Sequence, residues 1–313
     1  MKIGFIGVGT MGRHMAANLI KSGFSLVVND VRREAAQPHV KDGATWADTP
    51  RAVAEASDVV FTSLPGPVEV DAVALGPSGI LAGMSPGKVY FDLSTNSPTV
   101  VRRIEAVFKE RGVHMLDAPV SGGPRGAASG KLAIWVGGDE AIFQKCKAVL
   151  DGFSDQAYYV GAIGAGSVAK LVHNCAGYIA QTALAEVFTM GVKAGVDPLV
   201  IWKAVRQGAG GRRRTFDGLA DQFLPGKFDP PSFALRLAHK DVTLATQLGR
   251  EMKVPMRLAN ITLEEMTEAL NRGWGERDSR VSMLLELERA GVQIKVDEAK
   301  VKEALEKDPP AVL

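Results

Sequence analysis

The sequence predicts an α/β N-terminal domain with a parallel sheet, followed by an all-α C-terminal domain. Three observations lead there. The first half alternates short apolar, β-rich runs with amphipathic helical stretches, a pattern that places helices on both faces of a parallel sheet. A glycine motif, Gly7-Val8-Gly9-Thr10-Met11-Gly12, stands between the first strand and the first helix. From about Gly166 onward the periodicity is helical throughout. The length of 313 residues suits two domains.

The first strand is Lys2–Ile6, and residues 26–29, 59–63, 89–93 and 114–117 repeat its character, each bounded by Gly, Pro, Asp or Ser. Amphipathic stretches at 11–21, 51–56 and 98–111 lie between them, and 132–136 and 157–160 read as the last strands of a domain spanning 1–163. The next domain, 164–292, opens with a long helix at 166–194, whose middle is apolar on every face and is therefore expected to be buried. Further helices are expected at 197–206, 215–223, 238–252, 255–271 and 278–290, with Pro225, Pro230 and Pro231 marking a loop. Residues 293–313 form a charged tail in which Glu303 and Lys307 have i,i+4 spacing.

Composition narrows the function classes. Hydrophobic residues make up 46% and charged residues 23%, and the net charge of +2 offers nothing to a nucleic acid. Cys146 and Cys175 form neither a disulfide framework nor a metal pattern, so reduced thiols in a cytoplasmic protein are expected. No stretch reaches the roughly 18 apolar residues of a membrane span. No His/Asp/Glu cluster has metal-ligand spacing, so no metal is expected.

The glycine motif makes the first domain Rossmann-type. Gly7 permits a tight turn, Gly9 lets backbone approach a pyrophosphate, and Gly12 lets the helix pack on the sheet. The helix N-terminus then offers N–H groups to phosphate, with Thr10 and Met11 in the turn. Asp30 closes the second strand, where a carboxylate accepts from the ribose hydroxyls and repels a 2′-phosphate. The expected cofactor is therefore NAD. Arg32 and Arg33 just beyond it weaken the preference over NADP.

Two further segments carry chemistry. In Asp117-Ala118-Pro119-Val120-Ser121-Gly122-Gly123, a hydroxyl beside glycine N–H groups can hold a carboxylate, although Ser-Gly-Gly is also a common turn. In Gly164-Ala165-Gly166-Ser167-Val168-Ala169-Lys170-Leu171-Val172-His173-Asn174, Lys170 and Asn174 project from one helix face, which is expected to open at the domain junction.

Together with residues 7–19 and with Lys240-Asp241 inside 233–245, these segments resemble the β-hydroxyacid dehydrogenase family over about residues 1–292. That family includes 3-hydroxyisobutyrate dehydrogenase, tartronate semialdehyde reductase and 2-(hydroxymethyl)glutarate dehydrogenase. The resemblance implies oxidation of a small β-hydroxy acid, or the reverse reduction. It puts Lys170 on the proton-transfer position, Ser121, Gly122 and Gly123 on the substrate carboxylate, and Asn174 on substrate orientation. It also puts Leu64, Pro65, Ser94, Thr95 and Lys240 along the cofactor, and implies that Asp241 pairs with a lysine of the site. The family's KxxNN is His173-Asn174 at its end here, and His173 is expected to pack rather than act. Arg125 and Arg212, the latter within Arg212-Arg213-Arg214, are candidates to meet a second anionic group, against a bland reading as solvated charge. An imine reductase and a silent NAD-binding scaffold are the alternatives, and the retained Lys170 argues against both. The long apolar helix implies a homodimer or homotetramer.

Overall fold

The structure is a computed structural model that describes residues 1–193, 195–207, 217–251 and 256–307. The chain divides into two compact units, Met1–His173 and Asn174–Leu313.

The first unit is built on one sheet of strands β1 (Lys2–Ile6), β2 (Ser25–Asn29), β3 (Thr45–Trp46), β4 (Val59–Thr62), β5 (Val89–Asp92), β6 (His114–Asp117), β7 (Val120–Ser121), β8 (Leu132–Gly137) and β9 (Ser154–Gly161). Their order is β3-β2-β1-β4-β5-β6-β8-β7, with β9 also paired to β8. Every pairing from β3 to β6 is parallel. Alternate residues feed two cores. Phe5, Phe61 and Phe91 stack on one face, with ring centroids 6.1 and 5.3 Å apart, under Met15, Leu19, Phe143 and Leu150. Ile6, Val27, Val60 and Tyr90 line the other face against Val53, Val70, Ile104 and Phe108. Burying both faces accounts for the near-continuous apolar runs of these strands.

The sheet is mostly parallel, as expected, with one reversal. β8 runs antiparallel to β6 and β7. The chain between β7 and β8 is only the short helix Gly123–Ser129 and its left-handed cap Gly130, at φ 70°. A parallel return needs a crossover of a dozen residues or more, so this short link forces a reversal. β7 continues the register of β6 on β8 after a break at Ala118-Pro119, where proline has no N–H to donate. The strand thus leaves β5 and carries Ser121 beyond the parallel array.

The second unit is helical. Its core gathers Phe188, Trp202, Phe223, Leu235, Val242 and Met266. The long helix is Ala165–Lys193, so the unit boundary falls inside it. Its burial is uneven: Leu171, Cys175 and Phe188 are buried, while Val172 is 63% exposed. Helices follow at Pro198–Gln207, Leu235–Glu251, Arg257–Asn271 and Leu284–Ala290. Two expected helices are corrected. Within 215–223 the described residues form one 3-10 turn, Asp217–Leu219, followed by turns. The helical spacing of Leu219, Ala220, Phe223 and Leu224 reflects burial instead, and Gln222, also buried, is bonded through its side chain to Ser232 and Arg280. The helix at 278–290 begins as 3-10, Ser279–Met283, capped by Asp278. The C-terminal helix Glu298–Lys307 packs Val301 and Ala304 into the same core. Among the described residues, no helix is long and apolar enough to cross a membrane.

Candidate active site

The glycine loop joins β1 to the helix Gly12–Lys21. Gly7 has φ +88°, and a Cβ there would lie 2.4 Å from the Ser63 carbonyl oxygen. A Cβ on Gly12 would lie 1.8 Å from the Gly7 carbonyl oxygen. Both glycines are therefore required by packing. Gly9 differs: a Cβ there meets nothing within 4 Å, so its backbone faces open space. The helix has no side-chain cap and no acidic residue in its first turn. An open glycine before an uncapped N-terminus fits a dinucleotide's pyrophosphate. Thr10 is exposed and Met11 half-buried in that turn.

Asp30 holds the loop from the side. Its Oδ2 accepts from the Val8 N–H at 2.9 Å, and its Oδ1 accepts from the Arg32 N–H at 2.9 Å. Each oxygen keeps a lone pair for a hydroxyl donor. Arg32 Nε stands 3.9 Å from Oδ1, while the Arg33 guanidinium lies 5.6 Å over the Trp46 ring.

Leu64, Ser94 and a residue that the sequence reading missed are connected. The Leu64 N–H donates to Ser94 Oγ at 2.9 Å, and the Ser94 N–H donates to Asp92 Oδ1 at 3.0 Å. Asp92 also accepts from Thr62 Oγ1 and Asn96 Nδ2. It is buried, and burial pushes its carboxyl pKa up. A lone Asp at the end of the apolar run Val89–Asp92 was its sequence signal. Pro65 is exposed and Thr95 half-buried beside these residues.

Ser121 ends β7, with Gly122 at φ +129° and Gly123 at φ +59° after it. A Cβ on Gly123 meets nothing within 4 Å. Ser121 Oγ lies 3.1 Å from His173 Nε2, and the His173 ring packs 5.1 Å from the Trp135 ring. Burial, then the charge of Lys170, lowers the His173 pKa. Lys170 is half-buried, one turn before Asn174 in the helix Ala165–Lys193.

Asp117, the first residue of the serine segment, fixes where that helix starts. Its Oδ1 accepts from the Gly164 N–H at 2.7 Å and its Oδ2 from the Ser167 N–H at 2.6 Å. Burial pushes its pKa up to about 6 against these two bonds. Gly137 and Gly166 surround the carboxylate so closely that a Cβ on either would collide, at 2.5 Å from Asp117 Oδ1 and 2.3 Å from the Trp135 carbonyl oxygen.

In the second unit, Asn174 Nδ2 donates to Asp241 Oδ2 at 2.5 Å, and Lys240 Nζ lies 3.0 Å from Asp241 Oδ1. Asp241 is buried, so the pair orients the Asn174 amide. Arg125 is exposed on the helix Gly123–Ser129. Arg212, Arg213 and Arg214 lie outside the described residues. Cys146 and Cys175 are free and buried. Among the described residues no group of His, Cys, Asp and Glu could hold a metal ion.

The chain matches known proteins along most of its length. The family described as the NAD binding domain of 6-phosphogluconate dehydrogenase matches residues 2–161. The one described as NAD-binding of NADP-dependent 3-hydroxyisobutyrate dehydrogenase matches residues 164–286. A 2-(hydroxymethyl)glutarate dehydrogenase of Eubacterium barkeri is 34% identical over 94% of this chain and 97% of its own. An NAD-dependent L-serine dehydrogenase of Pseudomonas aeruginosa is 33% identical over 90% of this chain and 96% of its own. The crystal structure of 3-hydroxyisobutyrate dehydrogenase from Salmonella typhimurium superposes with a TM-score of 0.81 at 28% identity, covering 91% of this chain and 99% of that one.

Proposed function

The chain belongs to the β-hydroxyacid dehydrogenase family, is an oxidoreductase acting on CH–OH groups with a nicotinamide cofactor, and on that premise we propose that it oxidises a small β-hydroxy acid with NAD, using Lys170 for proton transfer. One observation carries the assignment. Asp117 bonds the first turn of the helix bearing Lys170 and belongs to the segment bearing Ser121, which supports reading the two candidate groups as parts of one site.

NAD, when bound, supplies the hydride acceptor. The backbone at Gly9 and the helix N-terminus would hold its pyrophosphate and Asp30 its ribose, Leu64, Pro65, Ser94 and Thr95 would line it, and Lys240 is proposed as a further cofactor contact. Ser121, Gly122 and Gly123 bind the substrate carboxylate and so select which carbon is presented. Neutral Lys170 accepts the hydroxyl proton in oxidation; its ammonium donates that proton and stabilises developing alkoxide charge in reduction. Asn174, oriented by Asp241, hydrogen-bonds the substrate. Arg125 and Arg212 complete the reading as groups for a second anionic end. The 63%-exposed Val172 supports a homodimer or homotetramer, and the free buried cysteines support a cytoplasmic location.

The test is initial-rate kinetics with NAD and NADP against 3-hydroxyisobutyrate, L-serine and 2-(hydroxymethyl)glutarate. At least one acid should turn over, with kcat/KM at least about tenfold higher for NAD, a difference of about 1.4 kcal/mol. Asp30→Ala should narrow that gap, because the carboxylate that repels a 2′-phosphate is gone. Equal kcat/KM for the two cofactors would overturn the NAD assignment, and no turnover of any acid would overturn the substrate class.

A further inference from the structure

We propose that His173 is a positioning residue that sets the hydrogen-bond direction of Ser121, so that carboxylate binding is coupled to the proton on the His173 ring. This rests on the reading of Ser121–Gly123 as the carboxylate seat. It adds a group where the family pattern has a residue that does not titrate.

The geometry is a short chain of polar atoms. His173 Nε2 lies 3.1 Å from Ser121 Oγ, within hydrogen-bond range. The ring is steadied by Trp135 at 5.1 Å and a 50° tilt, yet His173 remains exposed, so a ligand can reach this pair. A serine hydroxyl has one proton to give. With the ring proton on Nδ1, Nε2 is an acceptor and takes the Ser121 proton. Ser121 then turns only lone pairs toward a carboxylate, and the contact is repulsive. With a proton on Nε2 the direction reverses. His173 donates to Ser121 Oγ, and the Ser121 O–H is released to the carboxylate.

The imidazolium carries protons on both nitrogens, so it permits the second arrangement alone and adds a positive charge beside the seat. An anionic substrate therefore selects the Nε2–H form and binds best to the imidazolium. An asparagine in the same place would offer the Ser121 oxygen a donor at every pH.

The groups around the ring give the direction of the pH dependence. β7 presents the neutral Ser121 hydroxyl and β8 the neutral Trp135 ring, while Lys170 contributes a positive charge from the preceding turn of the same helix. Partial burial of the ring and that charge both disfavour the imidazolium, so the tighter-binding form gains population on the acid side. KM for the acid should therefore fall as pH falls. A ring that only packs leaves KM without this pH dependence.

The experiment uses propionate, a carboxylate with no hydroxyl to oxidise, titrated into the full chain with NAD present. Its affinity, corrected for propionate ionisation, should be about tenfold higher near pH 5.5 than near pH 8. Saturation should move the His173 Nε2 nitrogen resonance toward its protonated value. His173→Asn should retain binding and flatten the pH ratio to less than about twofold, and His173→Gln provides the same test if the first variant folds poorly. Propionate binding with a flat pH profile in the unmodified chain would remove the role of His173 and leave the proposed activity standing. An unchanged slope in the variants would do the same. No propionate binding at either pH would remove the carboxylate seat itself, and the coupling with it.

Discussion

The Gly7–Gly12 loop and the Ser121–Gly123 loop look alike in the sequence, and different forces hold them. Each follows a strand and opens a helix. In the first, two of the three glycines are fixed by backbone against backbone: Gly7 by Ser63, and Gly12 by Gly7 itself. The flanking carboxylate, Asp30, is bonded to main-chain N–H groups. In the second, Gly123 has open space around it, and the polar contact is side chain to side chain, from Ser121 to His173 fifty-two residues on. A site held by main chain tolerates sequence change outside its own segment. A site held by distant side chains changes its chemistry when one distant residue changes, so on the proposed assignment cofactor binding is the fixed property and substrate recognition the adjustable one.

The sharpest separation of the two is Lys170→Ala. It removes the proposed proton acceptor and leaves the first loop untouched. We expect kcat to fall by about two to four orders of magnitude, the usual contribution of a positioned acid–base group. NAD affinity, read by fluorescence titration, should change by less than about twofold. A variant with near-normal kcat would assign proton transfer to another group. A large loss of NAD affinity would mean that the two sites are not separable.

The same contrast explains what the sequence made legible. The strands β1, β4, β5 and β6 and the dinucleotide loop follow from local periodicity and from glycines whose reasons lie within a few residues. β3 and β7 have two residues each, too few for any period. The reversal at β8 depends on a link length that acquires meaning only once the strand order is known. Asp92, Asp117 and the Ser121–His173 contact escaped for one reason: their partners lie on other elements, and nothing local marks a carboxylate that will accept N–H groups from forty-seven and fifty residues away. The sequence suggests packing for His173, and it does pack on Trp135, but that contact leaves Nε2 to Ser121.

Asp117 tests whether buried side-chain bonding holds the start of the Lys170 helix. Its pKa rises from 3.8 to about 6 on folding, so between those values the native state binds more protons than the unfolded state. Stability from this group is therefore present below about pH 4, is lost as pH rises through about 6, and is flat above that; about two pKa units correspond to roughly 3 kcal/mol. In Asp117→Asn one backbone N–H loses its acceptor, a cost of about 1–3 kcal/mol at acid pH. The amide does not ionise, so the variant should regain most of that deficit relative to the parent as pH approaches 7. Urea unfolding of both proteins at several pH values reads the difference. A stability gap that stays constant from pH 4 to 7 would mean that Asp117 is ionised throughout and that the bonds from Gly164 and Ser167 outweigh its burial.

The smallest expected effect lies within the first loop and separates a glycine needed by the fold from one needed by the ligand. Gly12→Ala places a methyl 1.8 Å from the Gly7 carbonyl oxygen, where backbone rather than a flexible side chain must move. We expect a loss of about 1–3 kcal/mol in stability, as for other overpacked positions, whether or not NAD is present. Gly9→Ala meets nothing within 4 Å in the free chain. Its stability should stay within about 0.5 kcal/mol of the parent, while NAD affinity falls about tenfold or more, because the methyl occupies the space through which backbone approaches the pyrophosphate. The pair is read by thermal unfolding and by NAD titration. If Gly9→Ala bound NAD normally, the open space beside it would not be where the pyrophosphate lies. The motif would then act only in packing, and the contrast between the two loops would disappear.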